Sequence, residues 1–341
     1  MNVVSDIIYS VAILFIMMIP GIILKKTKMI SDGFGKGLSN LVLYIAQPAL
    51  IFLAYLRDFD KDILVNSIYV FIFSVVAHSI FSVVALFVFK KAPDAEARML
   101  KFSTIFANAA FMGIPLIKEV LEDTYPGATL YASIYNITFN LFLWSLGVNI
   151  CTKNRDINND GTDDFKEVSE LTAKSDDDSK VKNGSGSILK ALLHPVTIAA
   201  AIGLIFFILP INSYVPEIAI DSLTKLSNLV APLSMVVIGL RLPDIDFKGI
   251  FKDKNMYIFL ALRHFALPVT MIGIIKLLEL IGLAINPAVS FVIVILAATP
   301  AATSATMFAE KFDCDSAYVS KLVAVSTLLS IATIPLVMLL L

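Results

Sequence analysis

The sequence is poor in charged residues, in cysteine and in the motifs of known catalytic sites. Charged residues make up 16% of its 341 residues and hydrophobic residues 57%, compared with roughly 25% and 45–50% in soluble domains. This composition excludes an ordinary soluble protein and indicates an integral membrane protein. The formal net charge of −1 gives no reason to expect a nucleic-acid partner.

The missing motifs limit the chemistry further. The chain has no Gly-rich phosphate loop followed by Lys and Ser or Thr, no paired-histidine metal motif and no nucleophile elbow. We therefore predict a non-enzymatic protein without a cofactor, in which any transport is driven by gradients. Cys151 and Cys314 are the only cysteines. Both are predicted to be cytoplasmic, which argues against a disulfide, and two thiols are too few for a zinc site.

What the sequence does contain is a series of apolar segments long enough to cross a bilayer as helices. Numbered as predicted spans 1–10, they cover 7–24, 38–56, 63–89, 102–121, 128–150, 188–209, 223–242, 257–280, 287–309 and 317–341. Lys and Arg concentrate in the loops on one side, which the positive-inside rule makes cytoplasmic. We predict a multi-pass protein of the inner or plasma membrane, with both termini outside the cytoplasm.

A polar stretch divides these spans into two groups of five. The parts are a first repeat 1–150, a cytoplasmic loop 151–187 and a second repeat 188–341. The run LSNLV occurs at 38–42 and again at 226–230, in the second span of each half, and a proline follows it in each case, Pro48 or Pro232. We predict that each of these prolines breaks its helix. Because each half has an odd number of spans, the halves would be inverted. The sequence predicts an all-α fold of two inverted five-helix repeats, an arrangement typical of secondary transporters.

Two predicted spans carry proline breaks at corresponding positions. Span 4 contains Gly113-Ile114-Pro115 and span 9 contains Thr299-Pro300. Proline lacks an N–H and its ring clashes with the carbonyl four residues earlier, so each span should kink or come apart there. The N-termini of the resulting half-helices suit a carboxylate. The alternative is a pair of kinks that help helices to pack.

Residues around the breaks are candidate ligands of a substrate. The candidate set is Asn108, Gly113, Pro115, Asn136, Thr299, Pro300, Thr303 and Ser304. Asn136 lies one helical turn from Asn140, and the pair either joins helices or lines a polar path. His78, inside span 3, is a proton or substrate ligand or else a neutral histidine bonded to the backbone of a neighbouring helix. Arg263, beside His264 in span 8, either attracts an anion or extends to the cytoplasmic interface.

The polar loop contains a formal match to a calcium-binding loop. The ligand positions are Asp156, Asn158, Asp160 and Glu167. Asp163 stands where such loops pack an apolar residue, and the residues that follow are too polar for an exiting helix. A solvated acidic linker is the plainer interpretation, so we predict no metal centre.

Together these motifs resemble the auxin efflux carrier family, which includes plant PIN-type carriers and bacterial permeases associated with malate and malonate. The matching pieces are MGIPL at 112–116 with Asn108 ahead of it, 38–50 with Pro48, Arg263, and Thr299-Pro300 leading to FAEK at 308–311. The resemblance implies a bile-acid-symporter-like fold. Spans 1, 2, 6 and 7 would form a dimerising scaffold, and spans 3–5 and 8–10 a transport core in which the broken spans 4 and 9 cross.

The resemblance also implies an activity: elevator-type transport of a small organic anion such as malate, malonate or an auxin-like weak acid, by a homodimer in the lipid bilayer. The chain departs from the plant pattern in span 3, where His78 and Ser82 stand in place of an acidic residue and a lysine, and at Ala305, where plant carriers have a second proline. These departures argue against auxin itself. A second hypothesis is a non-transporting ligand or sterol sensor that keeps the carrier fold.

Overall fold

The computed structural model describes residues 3–31, 33–152, 193–209, 211, 214–245, 252–312 and 314–341. Regular secondary structure in these residues is helical, apart from one isolated backbone bridge between Ala107 and Ala301. The all-α prediction is therefore confirmed for the described part of the chain. The calcium-loop candidates Asp156, Asn158, Asp160 and Glu167 lie outside the described residues.

Most helices of the N-terminal half are short and follow one another in longer helical stretches. They are α1 (Val3–Ile16), α2 (Ile19–Lys26), α3 (Phe34–Leu41), α4 (Gln47–Tyr55), α5 (Lys61–Val88), α6 (Asp94–Ile105), α7 (Ile114–Leu121), α8 (Ala128–Phe142) and α9 (Val148–Thr152). Those of the C-terminal half are α10 (Pro195–Ile208), α11 (Glu217–Ser227), α12 (Val230–Arg241), α13 (Lys254–Ala261), α14 (Leu267–Leu280), α15 (Pro287–Ala298), α16 (Ser304–Lys311) and α17 (Ser316–Met338).

Seven stretches of the described chain are long and apolar enough to cross a membrane. They are Ser5–Lys26, Phe34–Tyr55, Lys61–Lys91, Ala128–Thr152, Glu217–Asp244, Lys254–Leu280 and Ser316–Met338. Two shorter apolar helices, Pro195–Ile208 and Pro287–Ala298, accompany them. The chain is thus a multi-pass membrane protein, in which predicted spans 4 and 9 are not continuous helices.

Turns of π-helix join several of these pieces, and most of them precede a proline. The turns are Val42–Ala46, Ala109–Gly113, Leu143–Gly147 and Leu262–Ala266, and Pro48, Pro115 and Pro268 each follow a turn by two residues. A wider turn relieves the clash between the proline ring and the preceding backbone. The predicted break at Pro48 is therefore wrong, since the rod continues through it to Tyr55.

The break in span 4 also differs from its predicted position. Helical structure begins again at Ala109 and runs through Pro115 to Leu121, so the interruption lies at 106–108. The sequence argument placed it at Pro115 because it assumed α-helical spacing, which the π turn removes. In the seventh span, a turn at 228–229 separates α11 from α12, and Pro232 lies in the first turn of α12.

Close packing at glycines and aromatic rings holds the helices in register. A Cβ atom at Gly239 of α12 would collide with the carbonyl oxygen of Met18, so α2 and α12 touch through their backbones. At the other side of the molecule, Phe102 of α6 lies 4.7 Å from Phe106 and 5.0 Å from Phe308 of α16, measured between ring centroids. This aromatic cluster fixes α6 against α16 and thereby positions the two interrupted spans.

Candidate functional site

The two interrupted spans meet at their breaks and pair through their backbones. The Asn108 N–H donates to the Pro300 carbonyl at 2.8 Å, and the Ala302 N–H donates to the Phe106 carbonyl at 2.9 Å. Ala107 and Ala301 lie opposite each other in antiparallel orientation. Lipid cannot satisfy the backbone groups of an interrupted helix, and here each break supplies partners for the other.

Arg263 holds the crossing from one side. Its guanidinium donates from Nε to the Thr299 carbonyl, from Nη1 to the Thr104 carbonyl and from Nη2 to the Ala297 carbonyl, each at 2.9 Å. These carbonyls lie where α6 and α15 end, so no N–H group of their own helix donates to them. Such carbonyls favour a nearby cation. The side chain is 0% exposed, so the alternative in which Arg263 reaches the cytoplasmic interface is wrong.

Like Arg263, Gln47 donates to a backbone carbonyl near an interrupted span, and sequence reasoning missed it. In the π turn the Gly113 N–H bonds to the carbonyl five residues earlier, that of Asn108, at 3.0 Å. Pro115 has no N–H, which leaves the Ala110 carbonyl without its π partner. The buried Gln47 Nε2 donates to that carbonyl at 2.8 Å. A lone amide in an apolar run was the signal that could have identified it.

The predicted ligands near the crossing are buried. Asn108 and Asn136 are each 2% exposed, and within the described chain neither the Asn108 Nδ2 nor the Asn136 Oδ1 has a hydrogen-bond partner. Such orphaned polar atoms are uncommon in protein interiors and call for a physical reason. Asn140 donates to the Asn136 carbonyl of its own helix at 3.0 Å, so the described contacts do not use Asn140 to join helices.

The remaining candidates divide between packing and polar roles. A Cβ atom at Gly113 would lie 2.5 Å from Leu296 Cδ2, so this glycine permits the close approach of α15. The Thr299 hydroxyl donates to the Leu296 carbonyl at 2.8 Å. The buried Ser304 hydroxyl, at the start of α16, has no partner among the described residues. Gly113 is therefore a packing residue at the crossing, whereas Ser304 keeps hydrogen-bonding capacity.

His78 is enclosed by aromatic rings. Its centroid lies 5.0 Å from that of Tyr135 and 5.1 Å from that of Phe142, and its Nδ1 lies 2.7 Å from the Ser74 carbonyl of the same helix. Nδ1 must carry a proton to donate to that carbonyl. The Nε2 atom is buried and has no partner in the described residues. Nδ1 thus bonds to the backbone of its own helix and not to that of a neighbouring helix as the alternative predicted, while Nε2 keeps its capacity for a ligand or proton.

Beside the crossing lies a cavity of about 470 Å³ between α12, α16 and α17. It is lined by Ile238, Arg241, Leu242, Asp244, Ile245, Thr303, Thr306, Glu310, Ser316, Ala317, Ser320, Lys321, Val323, Ala324 and Thr327. Of the sequence candidates it includes Thr303. Arg241 Nη1 donates to the Thr303 carbonyl at 2.9 Å and to the Thr306 hydroxyl. Sequence reasoning did not single out Arg241, although an arginine at the end of an apolar run was visible.

A protein-family model described as "Membrane transport protein" matches residues 6–338, nearly the whole chain. The chain belongs to the auxin efflux carrier family of membrane transporters. The resemblance drawn from the MGIPL run and the paired breaks is therefore confirmed. A comparison with curated proteins found no match.

In this carrier an ion pair joins the end of α4 to the end of α7. Arg57, just after α4, donates to Glu122, just after α7, at 2.7 Å. Glu122 also accepts from the backbone N–H groups of Gly127 at 2.9 Å and Thr129 at 2.7 Å. Burial raises the pKa of Glu122, but these hydrogen bonds and the Arg57 charge outweigh it, so that the pKa lies below its usual range.

Proposed function

We propose that this carrier moves a small organic anion, a mono- or dicarboxylate such as malate or malonate or an auxin-like weak acid, through elevator-type alternating access. The observation that supports the proposal is the crossing of the two interrupted spans. Directly after it, helical structure restarts at Ala109 and at Ser304. The first N–H groups of a helix lack intrahelical acceptors and attract anions, and the orphaned Asn108 amide lies beside them.

The proposal includes the ten-span inverted repeat, with halves 1–150 and 188–341 joined by the cytoplasmic loop 151–187 and with both termini outside. Antiparallel pairing of 106–108 with 300–302 supports it, because inverted halves bring equivalent segments together in opposite directions. Spans 1, 2, 6 and 7 form the scaffold and the homodimer contact, and spans 3–5 and 8–10 form the transport core. Contacts of α2 with α12 and of α4 with α10 are consistent with such a scaffold.

Within this mechanism the two candidate ionisable residues have different roles. Each nitrogen of the Arg263 guanidinium donates to a backbone carbonyl. Arg263 therefore maintains the crossing and contributes to the anion site mainly through its positive charge. His78 is the candidate proton ligand, since imidazole is the side chain that titrates near neutral pH and its Nε2 has no described partner. Asn108, Asn136, Thr299, Thr303 and Ser304 are the hydrogen-bonding candidates.

Uptake into proteoliposomes tests the proposal. Purified carrier is reconstituted, and the accumulation of radiolabelled malate, malonate and indole-3-acetate is measured under imposed pH and sodium gradients, with protein-free liposomes as the control. We expect saturable uptake of at least one carboxylate, and a loss of at least about tenfold in Asn108→Ala, because a hydrogen bond to a charged ligand contributes about 1.5–3 kcal/mol.

Two outcomes would contradict the proposal. If no carboxylate moves under any gradient, the carrier does not transport organic anions. If a carboxylate stabilises the purified protein against heat but does not cross the membrane, the sensor hypothesis is favoured instead. A normal rate in Asn108→Ala would place the anion away from the crossing.

A further inference from the structure

The cavity between α12, α16 and α17 has the size and lining of a small-molecule site. Its volume of about 470 Å³ falls within the range of roughly 300–1,000 Å³ that ligand pockets occupy. One part of its wall is apolar, formed by Ile238, Leu242, Ile245, Val323 and Ala324. The rest is polar, with the hydroxyl groups of Thr303, Thr306, Ser316, Ser320 and Thr327.

Arg241 is the principal cation of this cavity. Its Nη1 is fixed by the Thr303 carbonyl and the Thr306 hydroxyl. Within the part of the chain that the structure describes, its Nε and Nη2 have no acceptor. Arginine presents its donors in a planar fork that matches a carboxylate. The guanidinium is therefore held in place by protein on one side and retains donors for a ligand on the other.

The other charged groups around Arg241 leave the cavity suited to an anion. Lys321 adds a second cation to the wall. Asp244 is paired with Lys25, whose Nζ lies 3.1 Å from its Oδ2. Glu310 also lines the cavity and is close enough to Arg241 to interact with its charge, but its side chain is exposed, so solvent screens this interaction. A carboxylate in the cavity would thus meet Arg241 and Lys321 without facing an unpaired buried acid among the described residues.

We propose that this cavity is a second site beside the crossing, where it binds a carboxylate with an apolar body whose carboxylate group Arg241 and Lys321 hold. The apolar wall of α12 and α17 then receives the rest of the molecule. As a step in transport this inference rests on the proposed function: α12 belongs to the proposed scaffold and α16 and α17 to the proposed core, so the ligand would lie at the boundary that alternating access must open and close.

The first test removes the cationic donors. We expect Arg241→Gln and Lys321→Gln to raise the Kd for the transported carboxylate by about tenfold to a hundredfold, the cost of losing a charge-assisted hydrogen bond. Arg241→Lys should recover part of the affinity. Lys36→Gln removes an exposed positive charge outside the cavity and should leave the Kd unchanged. Binding is measured by equilibrium dialysis of radiolabelled malate, malonate and indole-3-acetate with the purified carrier.

A second test locates the ligand without depending on transport. In a Cys151→Ala and Cys314→Ala background, Ser320→Cys is labelled with a charged thiol reagent, with and without each carboxylate. We expect the carboxylate to slow labelling several-fold. Met29→Cys is the matched control, because Met29 is 72% exposed and lies outside the cavity lining.

The outcomes separate this inference from the proposed function. Uptake by the wild type, together with unchanged Kd in Arg241→Gln and Lys321→Gln and no protection of Ser320→Cys, overturns the cavity site and leaves transport standing. Protection and weakened binding without uptake supports the site and overturns transport. If neither uptake nor protection occurs with any carboxylate, both are overturned.

Discussion

Arg263 bonds to backbone carbonyls just before the break in span 9 and Arg241 to a carbonyl just after it, yet their surroundings differ. Arg263 is 0% exposed and each of its nitrogen atoms donates to a backbone carbonyl. Arg241 lines a cavity, and its Nη1 alone has described acceptors. The same side chain is therefore a structural clamp in one region and a ligand candidate in the other, depending on what its donors face.

Arg57 completes the comparison as a third arrangement. Its Nη2 donates to a carboxylate, Glu122, at the end of α7. Its Nε donates to the Ala54 carbonyl near the end of α4 at 3.1 Å. Arg263 thus bonds to backbone carbonyls alone, Arg57 to a carboxylate as well as a carbonyl, and Arg241 to a carbonyl and a hydroxyl at the wall of a cavity. A buried cation needs partners to offset its desolvation, and the kind of partner predicts what each substitution should do.

The largest effect is expected for Arg263→Gln. Loss of the guanidinium would leave the Thr299, Thr104 and Ala297 carbonyls buried without a donor, and each orphaned group costs about 1–3 kcal/mol. We expect the free energy of unfolding to fall by at least about 3 kcal/mol, seen as a large drop in Tm in detergent. Lys276→Gln is the control, because Lys276 is half exposed and pairs only with Glu279 one turn away.

Arg241→Gln tests the contrast with Arg263. It removes two described hydrogen bonds at the edge of a cavity, where solvent can partly replace them, so we expect a loss of about 2 kcal/mol. If Arg241→Gln unfolds the carrier as readily as Arg263→Gln does, Arg241 is a clamp as well. If Arg263→Gln keeps a normal Tm and loses only carboxylate binding, Arg263 is a ligand after all.

A smaller effect is expected for Gln47→Leu. This substitution tests whether the π turn that follows the interruption of span 4 depends on a side-chain donor, as the crossing depends on Arg263. The substitution introduces an apolar side chain of similar size and leaves the Ala110 carbonyl without its described donor. We expect a loss of about 1–2 kcal/mol in the free energy of unfolding. Ser39→Ala in the same rod is the control, since its hydroxyl bonds only to the Gly35 carbonyl of its own helix. Equal effects of the two would show that Gln47 does not support the π turn.

The sequence predicted the membrane class, the helical fold and the family, because each depends on composition, apolar length and local motifs. It placed the break in span 4 at Pro115, seven residues after the interruption at 106–108. Proline chemistry predicts that a helix must change near the ring, but not whether it breaks or widens into a π turn. At Pro115 the helix widens into a π turn, and the Ala110 carbonyl in that turn accepts from Gln47, which lies far away in the chain, so no local pattern could predict this partner.

The role of the arginines was the least predictable feature. A charged residue in an apolar run indicates a buried or functional site, and Arg263 is indeed buried. Its partners lie at the ends of α6 and α15, far away in the chain, so no local pattern could assign them. Arg241 was overlooked because it lies at the end of its span, where an arginine is ordinarily a cytoplasmic anchor.

The smallest effect is expected at the Arg57–Glu122 pair. Because the folded pKa of Glu122 is lowered, its stabilisation is fully present above the unfolded pKa of about 4.3 and is lost as pH falls through the folded value. Solvent reaches the pair, whose side chains are each 23% exposed, which limits the gain to about 1 kcal/mol. Glu122→Gln should lower Tm at pH 7 and bring mutant and wild type together near pH 3.

Glu279→Gln, at a more exposed carboxylate, should track the wild type at every pH. If Glu122→Gln also leaves Tm unchanged at pH 7, the Arg57 ion pair adds nothing to stability. In that case the bonds of Arg263 to backbone carbonyls, and not burial of an arginine as such, distinguish the structural clamp from the other two arginines.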